Sequence, residues 1–269
     1  MFSNRFHPGA ATQHSTAPAV FEIENDVKRS TIIINSILKN KLLLSGSFIV
    51  LVFVGMAVFG PQLTPYEYDG MSFKERFAPP DWGHLMGTDN YGRDTFTRIL
   101  YGARMSLKVG LMSVFIALIS GVIVGAIAGF IGGFLENLLM RIMDAFISFP
   151  PMLLAVSLLA AIGQGLTPVA VCTGVIFMPR FARVMRAAVL AEKGKEYVEA
   201  ARAVGQSELK ILIKHIGPST ISPAIVMGSI VFALSIIIEA SLSFLGVGIA
   251  PPEASWGLML RDAMNYRAE

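Results

Sequence analysis

The chain has 269 residues, of which 54% are hydrophobic and only 15% are charged. A soluble domain normally carries about 25% charged residues, so this composition indicates a membrane protein with several spans. The net charge of +3 comes from basic residues scattered between apolar segments, which excludes nucleic acid as an expected partner.

Residue types that carry metal or catalytic chemistry are sparse. The single cysteine, Cys172, lies in an apolar stretch, and the four histidines are dispersed without metal-ligand spacing. The sequence contains no GxxxxGK[ST], GxSxG or HExxH motif, which mark phosphate loops, serine hydrolases and zinc proteases. We therefore expect no metal site, no cofactor and no enzyme activity in this chain.

The sequence of the first third of the chain indicates a polar tail, a membrane anchor and a loop. Residues 1–41 form a polar tail and a lead-in that ends in Lys39 and Lys41. Residues 42–60 are an uncharged run of 19, long enough to cross the roughly 30 Å hydrocarbon core. The basic flank predicts a cytoplasmic N-terminus. The polar, proline-rich residues 61–104 are interpreted as an external loop.

The second predicted span, residues 109–131, contains regularly spaced glycines. Gly121, Gly125 and Gly129 recur every four residues and therefore share one face of a helix. Without side chains on that face, another helix can approach closely and gain van der Waals contact. We expect a packing seam with a neighbouring helix or subunit. The alternative is the general abundance of glycine in membrane helices.

Three further spans are predicted at residues 142–162, 167–178 and 219–238. Pro150 and Pro151 interrupt the first of these, and we expect them to bend it.

Two acidic residues lie near the spans. Asp144 is expected to pair with Arg141 at the membrane interface rather than to bind a transported substrate. Glu239 follows the last span, and for it a place on a substrate path and structural hydrogen bonding both stay open. The span centres are otherwise almost free of ionisable residues, which argues against an ion-coupled carrier.

Residues 186–218 form a charged island between two apolar segments. Its excess of lysine and arginine predicts a cytoplasmic location by the positive-inside rule. Glu199, Ala200 and Ala201 favour a helix, and Gly205 is expected to end it.

A second helix is expected to follow, with Ser207 as its cap and Pro218 as its end. The spacing predicts a single apolar face made of Leu209, Leu212, Ile213 and Ile216. The island would then be a rigid knob that docks on a partner protein. The alternative is an amphipathic helix that lies on anionic lipid.

The segment EAARAVG…HIGP resembles the EAA loop of ATP-binding-cassette (ABC) importer permeases. The matching positions are Glu199, Ala200, Ala201, Gly205 and Pro218. Gly217 departs from the family pattern, in which leucine usually precedes the proline.

Two more segments resemble the second permease of peptide and nickel importers. They are HLMGTDNYGRDTFTRILYGARMSL at residues 84–107 and EASLSFLGVGIAPPEASWG at residues 239–257. With the EAA segment they stand in the family's order, so the resemblance covers roughly residue 30 to the end.

The resemblance implies an all-α polytopic bundle in a bacterial inner membrane that imports di- or oligopeptides. Nickel or another small solute is the alternative cargo. The implied partners are a second permease, two cytoplasmic ATPases that hold ATP and Mg²⁺, a periplasmic solute-binding protein and the lipid bilayer. The residues implied to couple this chain to the ATPases are Glu199, Ala200, Ala201, Gly205, Leu209, Leu212 and Pro218. No substrate-binding residue is assigned.

Members of this family normally have six spans, whereas five are visible here. The external loop 61–104 would be periplasmic, and residues 105–269 would form the permease domain without its last span. On that expectation, a truncated permease-like scaffold that does not transport is a second candidate.

Overall fold

A computed structural model describes residues 40–266, so most of the predicted tail lies outside the described residues. Within this range the chain is helical and contains no β-sheet; Thr88 and Asp94 form only an isolated bridge. The helices are α1 (Lys41–Phe59), α2 (Thr95–Ile131), α3 (Gly133–Ser148), α4 (Pro151–Ile162), α5 (Leu166–Lys193), α6 (Glu196–Ala203), α7 (Glu208–Phe244) and α8 (Trp256–Asn265). Short 3-10 turns occupy Gly60–Gln62 and Phe73–Glu75. The described residues divide into two compact units, with the boundary between Val52 and Phe53.

Four of the described segments are long and apolar enough to cross a membrane. They are Lys41–Gln62, Thr95–Ile131, Leu166–Lys193 and Glu208–Phe244. The pair α3 and α4 makes a fifth crossing if it counts as one broken span. The prediction of an all-α, multi-span membrane protein is confirmed.

The long helices α2, α5 and α7 form the centre of the second unit. One apolar cluster joins Ala117 of α2 to Phe177 and Phe181 of α5 and to Val231 of α7. These side chains are almost fully buried, so the three helices bury much of one face each.

The glycines of the predicted seam lie on the face of α2 that contacts α5. A Cβ atom at Gly121 would stand 2.6 Å from the carbonyl oxygen of Met178, and one at Gly129 would stand 2.8 Å from that of Arg186. At Gly125 it would stand 2.8 Å from the Cβ of Met185. The two backbones are therefore too close for any larger residue at these positions.

Helix α2 begins earlier than the sequence pattern suggested. The Asp94 carboxylate caps it by accepting hydrogen bonds from the backbone N–H and the hydroxyl of Thr97, both at 2.7 Å. The helix therefore starts inside the segment 61–104 that was interpreted as an external loop. Its 37 residues span about 55 Å, which is longer than the roughly 30 Å hydrocarbon core, so part of the helix extends beyond that core.

The predicted span 142–162 is not one helix. Helix α3 ends at Ser148, α4 starts at Pro151, and the two axes meet at 94°. Phe149 adopts an extended conformation, as residues before proline tend to do, and the two prolines supply no backbone N–H. The expected bend is therefore a break.

Asp144 does not form the expected pair with Arg141. Its Oδ1 instead lies 2.6 Å from Nη2 of Arg183 on α5. Glu136 pairs with Arg186, also on α5. Two ion pairs thus join α3 to α5, and a pairing between neighbours on one helix was the wrong expectation.

We predict that Gly125→Leu lowers the unfolding free energy by about 1–3 kcal/mol or more, because the new side chain overlaps α5. The measurement is the apparent melting temperature of the detergent-solubilised protein. Gly55→Leu in α1 is the control, since a Cβ at Gly55 meets nothing within 4 Å. Equal losses for both variants would contradict the close approach of α2 and α5.

Candidate functional site

The charged island folds into a short helix and a tight turn between α5 and α7. Helix α6 ends at Ala203 with Val204 as its C-cap, and Gly205 follows with a φ of +79°. The backbone N–H of Gly205 donates to the carbonyl of Arg202, and that of Gln206 donates to the carbonyl of Ala201. This pair of bonds is a Schellman motif, which requires a left-handed residue at the position that Gly205 occupies.

One face of α6 is buried against the ends of α5 and α7. Val198 and Ala201 pack with Val189, Ile211 and Ile216 in a single apolar cluster. The structure therefore places Ala201 inward, where a small side chain allows α6 to lie close to its neighbours. Glu199 and Ala200 are exposed on the outer face.

The start of α7 differs from the predicted amphipathic helix. Residues Ile211–Ile216 form a π-helical turn, and the chain continues without a break into Gly217–Phe244. Pro218 thus lies inside a continuous helix rather than ending one. Proline lacks a backbone N–H, and the wider turn, in which Gly217 donates to the carbonyl of Leu212, accommodates it.

This wider turn also divides the predicted apolar face. Ile216 is buried and Leu212 is partly buried, whereas Leu209 and Ile213 point outward with 67% and 66% of their surface exposed. Residues five apart align in a π turn, so Ile211 joins Ile216 in the core. The helical spacing rule missed Ile211 because it assumes 3.6 residues per turn.

Side-chain hydrogen bonds hold the turn. The guanidinium of Arg202 donates to both carboxylate oxygens of Glu208, at 3.0 and 3.2 Å. His215 Nε2 lies 2.8 Å from Oε1 of Gln206. Ser207 makes no side-chain capping bond, so the expected cap is replaced by these contacts.

A second group of bonds fixes the junction of α5 and α6. The carboxylate of Glu192 accepts a hydrogen bond from the Lys195 ammonium at 2.6 Å and another from the Tyr197 hydroxyl at 2.5 Å. These bonds raise the pKa of both Lys195 and Tyr197 above their ordinary values. Both donors therefore keep their protons at neutral pH.

We predict that Gly205→Val destabilises the turn by about 1–2 kcal/mol, because a β-branched residue is strained at positive φ. Gly205→Asn should cost less, since asparagine tolerates this conformation. A Cβ at this position meets nothing within 4 Å, so conformation and not crowding decides the outcome. Protease protection of the α6–α7 segment measures the difference, and equal behaviour of the two variants would contradict it.

Comparison with known proteins decides the family. Residues 121–266 match the family described as the inner membrane component of binding-protein-dependent transport systems. The chain belongs to this family. Residues 32–80 match the N-terminal transmembrane domain of oligopeptide transport permease C, so the predicted membership in the peptide-importer type of ABC permease is confirmed.

Several relatives resemble this permease over most of their length. A putative peptide transport system permease protein of Brucella abortus is 39% identical over 91% of this chain and 83% of its own. The dipeptide transport system permease protein of Alkalihalophilus pseudofirmus is 38% identical over 85% of this chain and 75% of its own. A glutathione transport system permease protein of Escherichia coli is 37% identical over 84% of this chain and 75% of its own.

A second cluster of hydrogen-bonded side chains lies at the opposite end of the long helices, around Glu239 of α7. Glu239 of α7 is fully buried, and its carboxylate accepts hydrogen bonds from the hydroxyls of Ser106 at 3.2 Å, Ser243 at 2.9 Å and Ser255 at 2.7 Å. The Ser243 hydroxyl also accepts a bond from the backbone N–H of Ile249. Glu239 thus joins α2, α7 and the segment before α8.

We predict that Ser243→Ala lowers the unfolding free energy by about 1–3 kcal/mol, because it leaves buried polar groups without a partner. Ser241→Ala on the same helix is the matched control. The Ser241 hydroxyl donates only to the Ile237 carbonyl of its own helix, so its loss should cost about 0.5 kcal/mol or less. Apparent melting temperatures in detergent measure both, and a larger loss for Ser241→Ala would contradict the cluster's role.

Proposed function

We propose that this permease moves di- or oligopeptides inward across a bacterial cytoplasmic membrane, driven by ATPases that dock on α6 and the turn after it. Family membership and the names of the relatives, which mention peptides, dipeptides and glutathione, support this cargo class. The full importer would contain a second permease, two ATPases that hold ATP and Mg²⁺, and a periplasmic solute-binding protein.

The observation that carries the coupling proposal is an exposed apolar surface on a rigid base. Val204, Leu209 and Ile213 have 81%, 67% and 66% of their surface exposed. They surround the turn that Gly205 and the Arg202–Glu208 pair hold. Protein interfaces commonly centre on a few apolar side chains within a polar rim, and this surface has that composition.

A displacement of this surface would be transmitted to the other end of the permease by helix α7. Helix α7 begins directly after the turn of residues 204–207, which we name the docking turn, and runs for 37 residues past Glu239. A packed helix moves as a unit, so a displacement of its first turn shifts its far end. Closure of the ATPases would in this way change the shape of the opposite end of the permease.

The proposed orientation puts the docking turn in the cytoplasm. Lysine and arginine are frequent in residues 186–218, as the positive-inside rule requires of an inner segment. Counting spans back from this loop gives a cytoplasmic N-terminus. The segment between α1 and α2 would then face the periplasm and the solute-binding protein.

We predict that Leu209→Asp weakens binding of the ATPases by about tenfold or more, because a charge would have to be buried in an apolar contact. Co-purification of the ATPases with the tagged permease measures binding. Leu85→Asp is the control, since Leu85 is also an exposed leucine (56%) but lies between α1 and α2. Normal ATPase recovery with Leu209→Asp would contradict the docking surface.

Transport itself is tested by uptake of labelled Ala-Ala into proteoliposomes that contain the complete importer and ATP. ATP-dependent uptake of Ala-Ala supports the proposed cargo. Uptake of Ni²⁺ instead would overturn the cargo class, and no uptake by a complete importer would favour the scaffold.

A further inference from the structure

A cavity of about 230 Å³ opens beside the first turns of α2, at the end of the permease opposite the docking turn. Its charged and aromatic lining residues are Tyr68, Tyr101, Arg104, Lys108 and Glu253. Under the proposed orientation this cavity faces the side from which the substrate arrives.

The cavity contains charged side chains of both signs, and they do not form ion pairs with one another. Arg104 and Lys108 stand one helical turn apart on α2, where two like charges repel. Glu253 lines the same cavity from the segment before α8. Among the ion pairs of residues 40–266, none includes Arg104, Lys108 or Glu253.

The wall that carries Glu253 is held rigidly. The buried guanidinium of Arg98 donates to the backbone carbonyls of Tyr68 at 2.8 Å and of Pro252 and Glu253 at 3.4 Å. Next to Glu253, Ala254 is buried and Ser255 is bonded to the Glu239 carboxylate. Two buried charged residues therefore position this segment from both sides.

Two tyrosines complete the cavity. The rings of Tyr68 and Tyr101 lie 4.8 Å apart between centroids, at an angle of 34°. Burial, and after it the nearby carboxylate of Glu253, raises the pKa of Tyr68 above its ordinary value. The Tyr68 hydroxyl therefore stays neutral and able to donate or accept a hydrogen bond.

We propose that this cavity binds a short peptide by its two charged ends, with Glu253 receiving the terminal ammonium and Arg104 and Lys108 receiving the terminal carboxylate. A zwitterion is the ligand that satisfies both signs of charge at once, whereas a simple cation or anion leaves one sign unmatched. An extended dipeptide spans about 7 Å, a size that suits a cavity of this volume. The proposal rests on the proposed peptide cargo and adds a recognition site in the permease itself.

The test is direct binding to the purified complex of both permeases and both ATPases in lipid nanodiscs, without the solute-binding protein. Three labelled probes are compared by equilibrium dialysis: Ala-Ala, N-acetyl-Ala-Ala and Ala-Ala-amide. We expect the wild type to bind Ala-Ala about tenfold more tightly than either blocked peptide, because each block removes one charge-assisted contact.

Each cavity variant should abolish the preference for one free end of the peptide, the ammonium or the carboxylate, and keep the preference for the other. Glu253→Gln should bind Ala-Ala and N-acetyl-Ala-Ala equally while still discriminating against the amide. The double variant Arg104→Gln/Lys108→Gln should show the reverse pattern. A general loss of structure cannot produce these two opposite patterns.

Two exposed residues of the segment between α1 and α2 supply the controls. Glu67→Gln and Lys74→Gln remove a negative and a positive charge outside the cavity, and both preferences should persist. The inference is overturned if the wild type shows no preference, if a control erases one, or if neither cavity variant changes its matching preference. Loss of the partner permease from the Arg104→Gln/Lys108→Gln complex would also overturn it, since the charges would then serve subunit contact.

Failure of this inference is distinguishable from failure of the proposed function. Wild-type importer that takes up Ala-Ala but binds all three probes alike retains its function and loses the site. Wild-type importer that takes up no peptide loses the proposed cargo, whatever the dialysis result.

Discussion

The close approach of α2 and α5 is the contact on which the rest of the permease depends. Glycine at Gly121, Gly125 and Gly129 lets the two backbones meet without intervening side chains. Lipid supplies no hydrophobic drive for helix association, so this dispersion contact must hold the helices together. Helices α6 and α3 then attach to the end of this pair, through the apolar cluster around Val189 and through the ion pairs of Arg183 and Arg186.

The docking turn and the hydrogen-bonded cluster around Glu239 lie at opposite ends of helix α7. The docking turn depends on Gly205 and a π-helical first segment, and the far end depends on the buried carboxylate of Glu239. Pro218 lies inside the continuous α7 because the wider π turn before it accommodates the missing backbone N–H. The hydroxyls of Ser106 and Ser255 join the far end of α7 to α2 and to the segment before α8 through Glu239.

Sequence periodicity predicted the membrane class, the glycine face and the short helix before Gly205, because each depends on local spacing. It failed where backbone hydrogen bonding changes register. The π turn moved Ile211 into the core and Ile213 out of it, which a 3.6-residue period cannot describe. Partners distant in sequence were also out of reach: Asp144 pairs with Arg183, and Glu239 with Ser106, across separate helices.

The break between α3 and α4 carries a consequence for solvation. Helix α4 has 12 residues and is about 18 Å long, which is too short to cross a roughly 30 Å hydrocarbon layer alone. The carbonyls of Phe146 and Ile147 have no N–H four residues on, because both of those positions are proline. Lipid cannot hydrate such carbonyls. This stretch of the permease must therefore be covered by protein or by water wherever it enters the hydrocarbon layer.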